Sequence, residues 1–121
     1  MLNQEELYRK LVEISDVEDF ILELKPTYSK KYWGRYFPAR KLVRLYALDE
    51  NGEQYPDEDL LREGLHEVTH RIQHHHIPYW TRKFGVMHDE DFWEIFRGML
   101  SKMYIAEAIG EMGRRECQKI I

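Results

Sequence analysis

The sequence predicts an α+β protein with an N-terminal helix, a small three-stranded antiparallel sheet, a helix carrying an H-E-x-x-H motif and a long C-terminal helix. Three observations support this fold class. Apolar residues recur at helical spacing towards both ends of the chain, and short β-branched and aromatic runs fill the middle. The 121 residues contain no repeat or linker and have the length of one ordinary domain. We therefore expect residues 1–121 to form a single domain.

The first half of the chain begins with a helix and continues with three strands. Asn3 and Glu6 have the spacing of a capping box, which predicts a helix over residues 4–14. Short apolar or aromatic runs predict strands over 20–24, 32–37 and 42–48, and the first two are each followed by a proline or end next to one. The turn sequence at 49–52 closes the third strand.

Two acidic helix starts organise the second half. Residues 57–59 are acidic and predict a helix over about 57–75 that stops before Pro78. A second acidic start at 89–91 precedes a long apolar stripe, which we expect to be core and to end near Gly110 and Gly113. Its members are Phe92, Phe96, Met99, Met103 and Ala106.

Composition excludes several classes of protein. Cys117 is the one cysteine, so neither a disulfide framework nor a cysteine-based zinc site can form, and a reducing cytoplasmic location is expected. The N-terminus is too polar for a signal peptide, and no apolar run approaches the ~20 residues that cross a membrane. The net charge of −4 gives no general attraction to nucleic acid.

The H-E-x-x-H motif is formed by His66, Glu67 and His70. Two histidines four residues apart lie on one helical face and can reach one Zn²⁺ ion, and the glutamate between them can take a proton from water. Leu61, Leu65, Val68 and Ile72 form an apolar stripe on roughly the opposite face, so the histidines should face a cleft. The motif therefore predicts a zinc-dependent hydrolase. A surface helix with two solvated histidines is the alternative.

A catalytic zinc ion needs a third protein ligand and one open position. His88, at the start of the second acidic helix, is the preferred candidate. His76 has the metzincin spacing, although Gln73 stands where that pattern needs glycine. Glu90 or Glu94 would complete a site with a carboxylate ligand.

At these residues the chain resembles minimal zincin metallopeptidases of the SprT-like and YgjP-like families. In those families a short antiparallel sheet precedes the H-E-x-x-H helix, and a third histidine opens a following helix ahead of Phe-Trp. This chain has His88 four residues before Phe92-Trp93, with Asp89 where SprT-like proteins place a glycine. The resemblance covers about residues 40–100. It implies that His66, His70 and His88 bind zinc and that Glu67 is the general base of a peptidase.

Peptide hydrolysis also needs a donor to the developing oxyanion and a binding surface for substrate. Tyr79, Arg82 and Tyr104 are the candidate donors, and the sequence does not separate them. The predicted strand at 41–48 could pair with an extended polypeptide substrate if it lies at the edge of the sheet.

Residues 25–48 contain seven basic residues, six aromatic residues and no acidic one. Such a segment can bind single-stranded nucleic acid or an acidic polypeptide, or can be the solvent face of a hairpin. Two alternatives to the peptidase follow. One is a nucleic-acid-associated protein with a structural or regulatory zinc ion, and the other is an inactive interaction protein of the zincin fold.

Overall fold

The computed structural model describes the backbone of residues 2–76 and 88–120, and the side chains of residues 2–73 and 88–105. Three helices and three strands follow one another in a mixed α and β order. They are α1 (Gln4–Ser15), β1 (Ile21–Lys25), β2 (Gly34–Phe37), β3 (Leu42–Tyr46), α2 (Asp57–His76) and α3 (Glu90–Ile120), with a short 3-10 turn at Pro38–Arg40 between β2 and β3.

The first helix has the predicted cap. Asn3 Oδ1 accepts a hydrogen bond from the Glu6 backbone N–H at 2.8 Å, which satisfies one of the free N–H groups of the first turn. The helix ends at Asp16, which has a left-handed φ of 59° and returns its N–H to the Val12 carbonyl. Leu7 and Leu11 are fully buried, so α1 covers one side of the core.

The sheet is mixed, and the prediction of an antiparallel sheet is wrong for one of its two pairings. The strand order is β1-β3-β2, with β1 parallel to β3 and β2 antiparallel to β3. Leu42, Val43 and Leu45 make β3 the most buried strand, which suits the central position. The sequence pattern did not reveal this pairing because alternation defines the faces of a strand and not the direction of its neighbours.

The strand order also corrects the expected substrate strand. Residues 42–46 pair on both sides, with β1 and with β2, so the segment at 41–48 has no free edge for an extended peptide. Strand β2 is an outer strand of the sheet instead. It lies next to α2, the helix with the motif.

The core lies between one face of the sheet and the three helices. The predicted apolar stripe of α2 is confirmed, since Leu61, Leu65 and Val68 are buried and Ile72 packs against them. The stripe of α3 is confirmed at its four residues whose side chains are described, which are Phe92, Phe96, Met99 and Met103.

Helix α3 continues beyond the predicted end. Gly110 and Gly113 were expected to terminate it, but the helix runs to Ile120. Glycine inside a helix costs about 1 kcal/mol relative to alanine and does not forbid the helical backbone, so it is a weak stop signal when no proline follows. Over the described part of the chain, none of the helices combines the length and the apolar character that crossing a membrane requires.

Candidate metal centre

The helix α2 presents both motif histidines on one face. His66 and His70 are half-buried, with ring centroids 5.3 Å apart, whereas the neighbouring Leu65 and Val68 are buried in the core. The acidic first turn, Asp57 to Asp59, favours this helix through its dipole. The motif therefore lies on a helix, as predicted, with one side in the core and the other towards an open cleft.

The third histidine comes from the chain just before α3. His88 Nε2 lies 3.1 Å from His66 Nε2 and 3.2 Å from His70 Nε2. The ligand atoms of the three histidines all lie within 4.8 Å of one another. The cluster could hold one metal ion, and it joins residues that are 18 and 22 positions apart in the sequence.

Asp89 fixes the start of α3, and with it the backbone next to His88. Its Oδ1 accepts hydrogen bonds from the Phe92 backbone N–H and from Gln73 Nε2, both at 2.9 Å. The first bond caps α3 and the second links α3 to α2. Gln73 is 1% exposed, so this link is shielded from water. Gln73 departs from the metzincin pattern and Asp89 departs from the SprT-like pattern. These two residues are thus hydrogen-bonded to each other.

Phe92 forms an apolar wall behind the cluster. Its ring centroid lies 4.9 Å from that of His66 and 4.7 Å from those of His70 and His88. The Phe92 side chain is fully buried, while Trp93 beside it is 43% exposed. One side of the histidine cluster is therefore dry, and the other side is open.

Burial and a neighbouring histidine both disfavour a charged imidazole at His66. Desolvation, with a smaller contribution from the nearby His88, lowers the pKa of His66 to about 4. The His66 ring is neutral at physiological pH, so it can offer a nitrogen lone pair to a cation.

Glu67 lies beside the histidines as one member of a buried carboxyl pair. Burial, together with the charge and the hydrogen bond of Glu63, raises the pKa of Glu67 to about 8, while a hydrogen bond from the Tyr36 backbone acts in the opposite direction. Burial also raises the pKa of Glu63, and its hydrogen bond with Glu67 opposes that rise. The two carboxyls therefore share a proton near neutral pH in the absence of a cation.

A cleft of about 510 Å³ opens on this site. The helix side of the cleft is lined by Glu63, Glu67 and the three histidines. The sheet side is lined by strand β2 and by the residues before it, from Lys31 to Trp33. The histidine cluster and Glu67 are thus accessible from the same open space.

Strand β2 turns some of its backbone groups away from β3, on the side of the cleft. The Tyr46 N–H donates to the Trp33 carbonyl at 3.1 Å, which makes Trp33 and Tyr46 a hydrogen-bonded pair. Such pairs alternate along an antiparallel ladder. The backbone groups of Gly34 and Tyr36 consequently face away from β3, and the Tyr36 backbone reaches Glu67.

Gly34 permits the close approach of β2 to α2. A Cβ atom at this position would lie 2.7 Å from Leu45 Cδ2 and 3.0 Å from both Cγ and Oε1 of Glu63. Contacts of this length are too short for a side chain to remain without movement of its neighbours. The absence of a side chain at Gly34 therefore keeps Glu63 next to the strand.

The remaining predicted site residues are not brought to the cluster. Tyr104 is 43% exposed on α3, its hydroxyl accepts a hydrogen bond from Arg62 at 3.0 Å, and it is not one of the described residues that line the cleft. Glu90 and Glu94 are exposed in the first turns of α3 and do not join the metal-ligand group found among the described side chains. Tyr79, Arg82 and the side chain of His76 lie outside the described residues.

The basic segment is divided by the structure into paired and unpaired cations. Lys25 and Arg44 both form ion pairs with Glu23, at 3.1 and 3.0 Å. Lys31 and Arg35 line the cleft, and no carboxylate of the described residues forms an ion pair with either. The positive charge that the segment brings to the cleft is thus not neutralised by a carboxylate of the described residues.

Sequence reasoning missed Glu63 and the bond between Gln73 and Asp89. Glu63 could have been found from its spacing, since it precedes Glu67 by four residues and shares its helical face. No local signal connects Gln73 to Asp89.

Comparison with protein-family models, with curated proteins and with solved structures finds no match for this chain.

Proposed function

We propose that this chain is a zinc-dependent metallohydrolase of the zincin kind that cleaves polypeptides. The observation that carries this proposal is the convergence of three histidine Nε2 atoms beside the carboxyl group of Glu67, in a cleft bordered by a sheet edge. The histidines, the Glu67 carboxyl group and the sheet edge meet in one cleft, although they belong to α2, to β2 and to the start of α3.

The donor set fits zinc. Nitrogen ligands about 2.0–2.1 Å from a tetrahedral zinc ion lie about 3.3 Å from one another. The distances of 3.1 and 3.2 Å from His88 Nε2 to the other two Nε2 atoms are close to this value. Three imidazoles favour zinc or a related transition metal over calcium and magnesium, which prefer oxygen ligands.

Each residue of the site has a role in such a reaction. A zinc ion held by His66, His70 and His88 would polarise the substrate carbonyl and acidify water. Glu67 accepts the proton from water and passes it to the amine that leaves. Glu63 and the Tyr36 backbone orient the Glu67 carboxyl group through hydrogen bonds.

The polypeptide as substrate is supported by the sheet edge and by the size of the cleft. An extended peptide can add to an edge strand through main-chain hydrogen bonds, which recognise the backbone whatever the sequence. The outward backbone groups of Gly34 would supply them, in the cleft that Glu67 also lines. A volume of about 510 Å³ accommodates a short stretch of peptide.

The test compares zinc-loaded wild type with Glu67→Gln on fluorescein-labelled casein, after metal analysis of both proteins. Glu67→Gln should keep its zinc and fold, and its hydrolysis rate should fall about 10²- to 10⁴-fold, since a general base contributes that much. Glu5→Gln, an exposed change on α1, is the matched control and should keep full activity. Retained hydrolysis in zinc-loaded Glu67→Gln, or a wild type that binds no zinc, would overturn the proposal.

A further inference from the structure

Two cationic side chains at the rim of the cleft, Lys31 and Arg35, lie over the same aromatic ring, that of Tyr32. Arg35 Cζ lies 4.9 Å from the centroid of Tyr32, and Lys31 Nζ lies 5.9 Å from the same centroid. Arg35 is also 4.9 Å from the centroid of Phe37. Contact with ring faces orients a guanidinium group and leaves its N–H edge available to a planar acceptor.

These two cations differ in their pairing from three other arginines of the described structure. Arg44, Arg62 and Arg71 each form an ion pair with at least one carboxylate. Lys31 and Arg35 do not pair with any carboxylate whose side chain is described. Like charges held on one ring repel each other, so an anion arriving there gains attraction from both.

We propose that Lys31 and Arg35 bind a carboxylate side chain of the substrate, so that the enzyme selects acidic polypeptides. This inference rests on the proposed function and adds the substrate class to it. Arginine binds a carboxylate through two parallel hydrogen bonds, and lysine adds a point charge. A peptide paired with β2 would carry its side chains past both residues, because Arg35 is part of that strand and Lys31 precedes it.

The charges of the cleft favour an acidic peptide over a nucleic acid. A polynucleotide needs a continuous basic groove that follows its phosphates. Here the opposite wall of the cleft carries Glu63 and Glu67, so the positive charge is restricted to one rim. One or two carboxylates of a peptide match this arrangement, whereas a chain of phosphates would meet the acidic wall.

The test measures binding apart from hydrolysis. Zinc-loaded Glu67→Gln protein is titrated into fluorescein-labelled peptides that contain Glu, Gln or Lys at the same positions, and into a labelled single-stranded oligothymidine. Fluorescence anisotropy is recorded at low and moderate salt. The charge variant is Lys31→Gln with Arg35→Gln. The matched control is Arg9→Gln with Lys10→Gln, which removes the same charge from an exposed part of α1 that does not line the cleft.

The Glu peptide should bind most tightly, and the charge variant should weaken its binding about tenfold, since hydrogen bonds to charged groups contribute this much or more. The control variant should bind as the parent protein does. Equal binding of the Glu and Gln peptides, or an equal loss in the control, would overturn the inference. Tighter binding of the oligothymidine with the same dependence on Lys31 and Arg35 would overturn it in favour of nucleic acid.

The outcome is separable from that of the proposed function. If the wild type hydrolyses no peptide but the Glu peptide still binds through Lys31 and Arg35, the hydrolase fails and the carboxylate site stands. If casein is hydrolysed but the charge variant binds all peptides like its parent, the hydrolase stands and the carboxylate site fails.

Discussion

Gln73 Nε2 donates a hydrogen bond to Asp89 Oδ1 at 2.9 Å, and this bond joins the helix that carries two histidines to the residue after the third. Gln73 lies three residues beyond His70, and Asp89 directly follows His88. The bond therefore helps to set the distance between His70 and His88, although neither Gln73 nor Asp89 belongs to the histidine cluster. Groups that support ligands in this way commonly influence metal affinity.

We predict that Gln73→Leu weakens zinc binding about 10- to 100-fold, the usual effect of losing a group that orients a ligand. The free energy of unfolding should also fall by about 1–3 kcal/mol because Asp89 loses a buried partner. Competition with a chromogenic chelator measures the affinity. Thr69→Val is the control, since it removes a buried hydrogen bond to the Leu65 carbonyl on the same helix. If the two variants bind zinc equally well, Gln73 does not position His88.

The third ligand can be identified by metal content. The position of His88 Nε2 predicts that His88→Ala loses most of its zinc, as should His66→Ala and His70→Ala. His76→Ala should retain about one zinc ion per chain. Plasma emission spectrometry of the dialysed proteins gives the stoichiometry. Zinc retained in His88→Ala and lost in His76→Ala would assign the site to the metzincin spacing instead.

The raised pKa of Glu67 predicts a pH dependence of stability in the metal-free protein. The folded protein holds a proton on Glu67 up to about pH 8, whereas the unfolded chain releases it near the ordinary value of 4.5. The folded state therefore binds more protons between these values, and its stability falls as pH rises through that window.

Glu67→Gln should remove this dependence, because glutamine keeps the shape and does not ionise. In chelator-treated protein, the variant should be more stable than wild type at pH 8, by a few kcal/mol since one pKa unit corresponds to about 1.4 kcal/mol. The difference should shrink at pH 5. Urea unfolding at both pH values measures it, and a wild type that gains stability from pH 5 to pH 8 relative to the variant would contradict the prediction.

Gly34→Ala should separate β2 from α2. The new methyl group would meet Leu45 at 2.7 Å and Glu63 at 3.0 Å, so we expect a loss of about 1–3 kcal/mol from overpacking. Gly98→Ala is the matched control on α3, where a Cβ atom meets nothing within 4 Å. That change should stabilise the protein by up to about 1 kcal/mol, through helix propensity. Equal effects in urea unfolding would show that β2 and α2 are not closely packed at Gly34.

Local sequence signals predicted where the helices begin and the half of the site that one helix contains. Asn3 and Glu6 marked the start of α1, and residues 57–59 marked that of α2, because caps and dipole interactions are local. His66, Glu67 and His70 were found together because helical geometry fixes the relative direction of residues four apart. The same periodicity predicted that the two histidines lie on the face of the helix opposite the apolar stripe from Leu61 to Ile72.

Which elements meet depends on the packing of the whole domain, and local signals do not contain this information. Alternation in β3 is the same for either strand order, so the parallel pairing with β1 and the outer position of β2 could not be predicted. His88 was ranked above the other candidates from its place at the start of the second acidic helix, whereas its distances to His66 and His70 depend on how α2 and the start of α3 come together. The bond from Gln73 to Asp89 spans 16 residues. Contacts at such separations are set by packing of the whole domain, which no local pattern encodes.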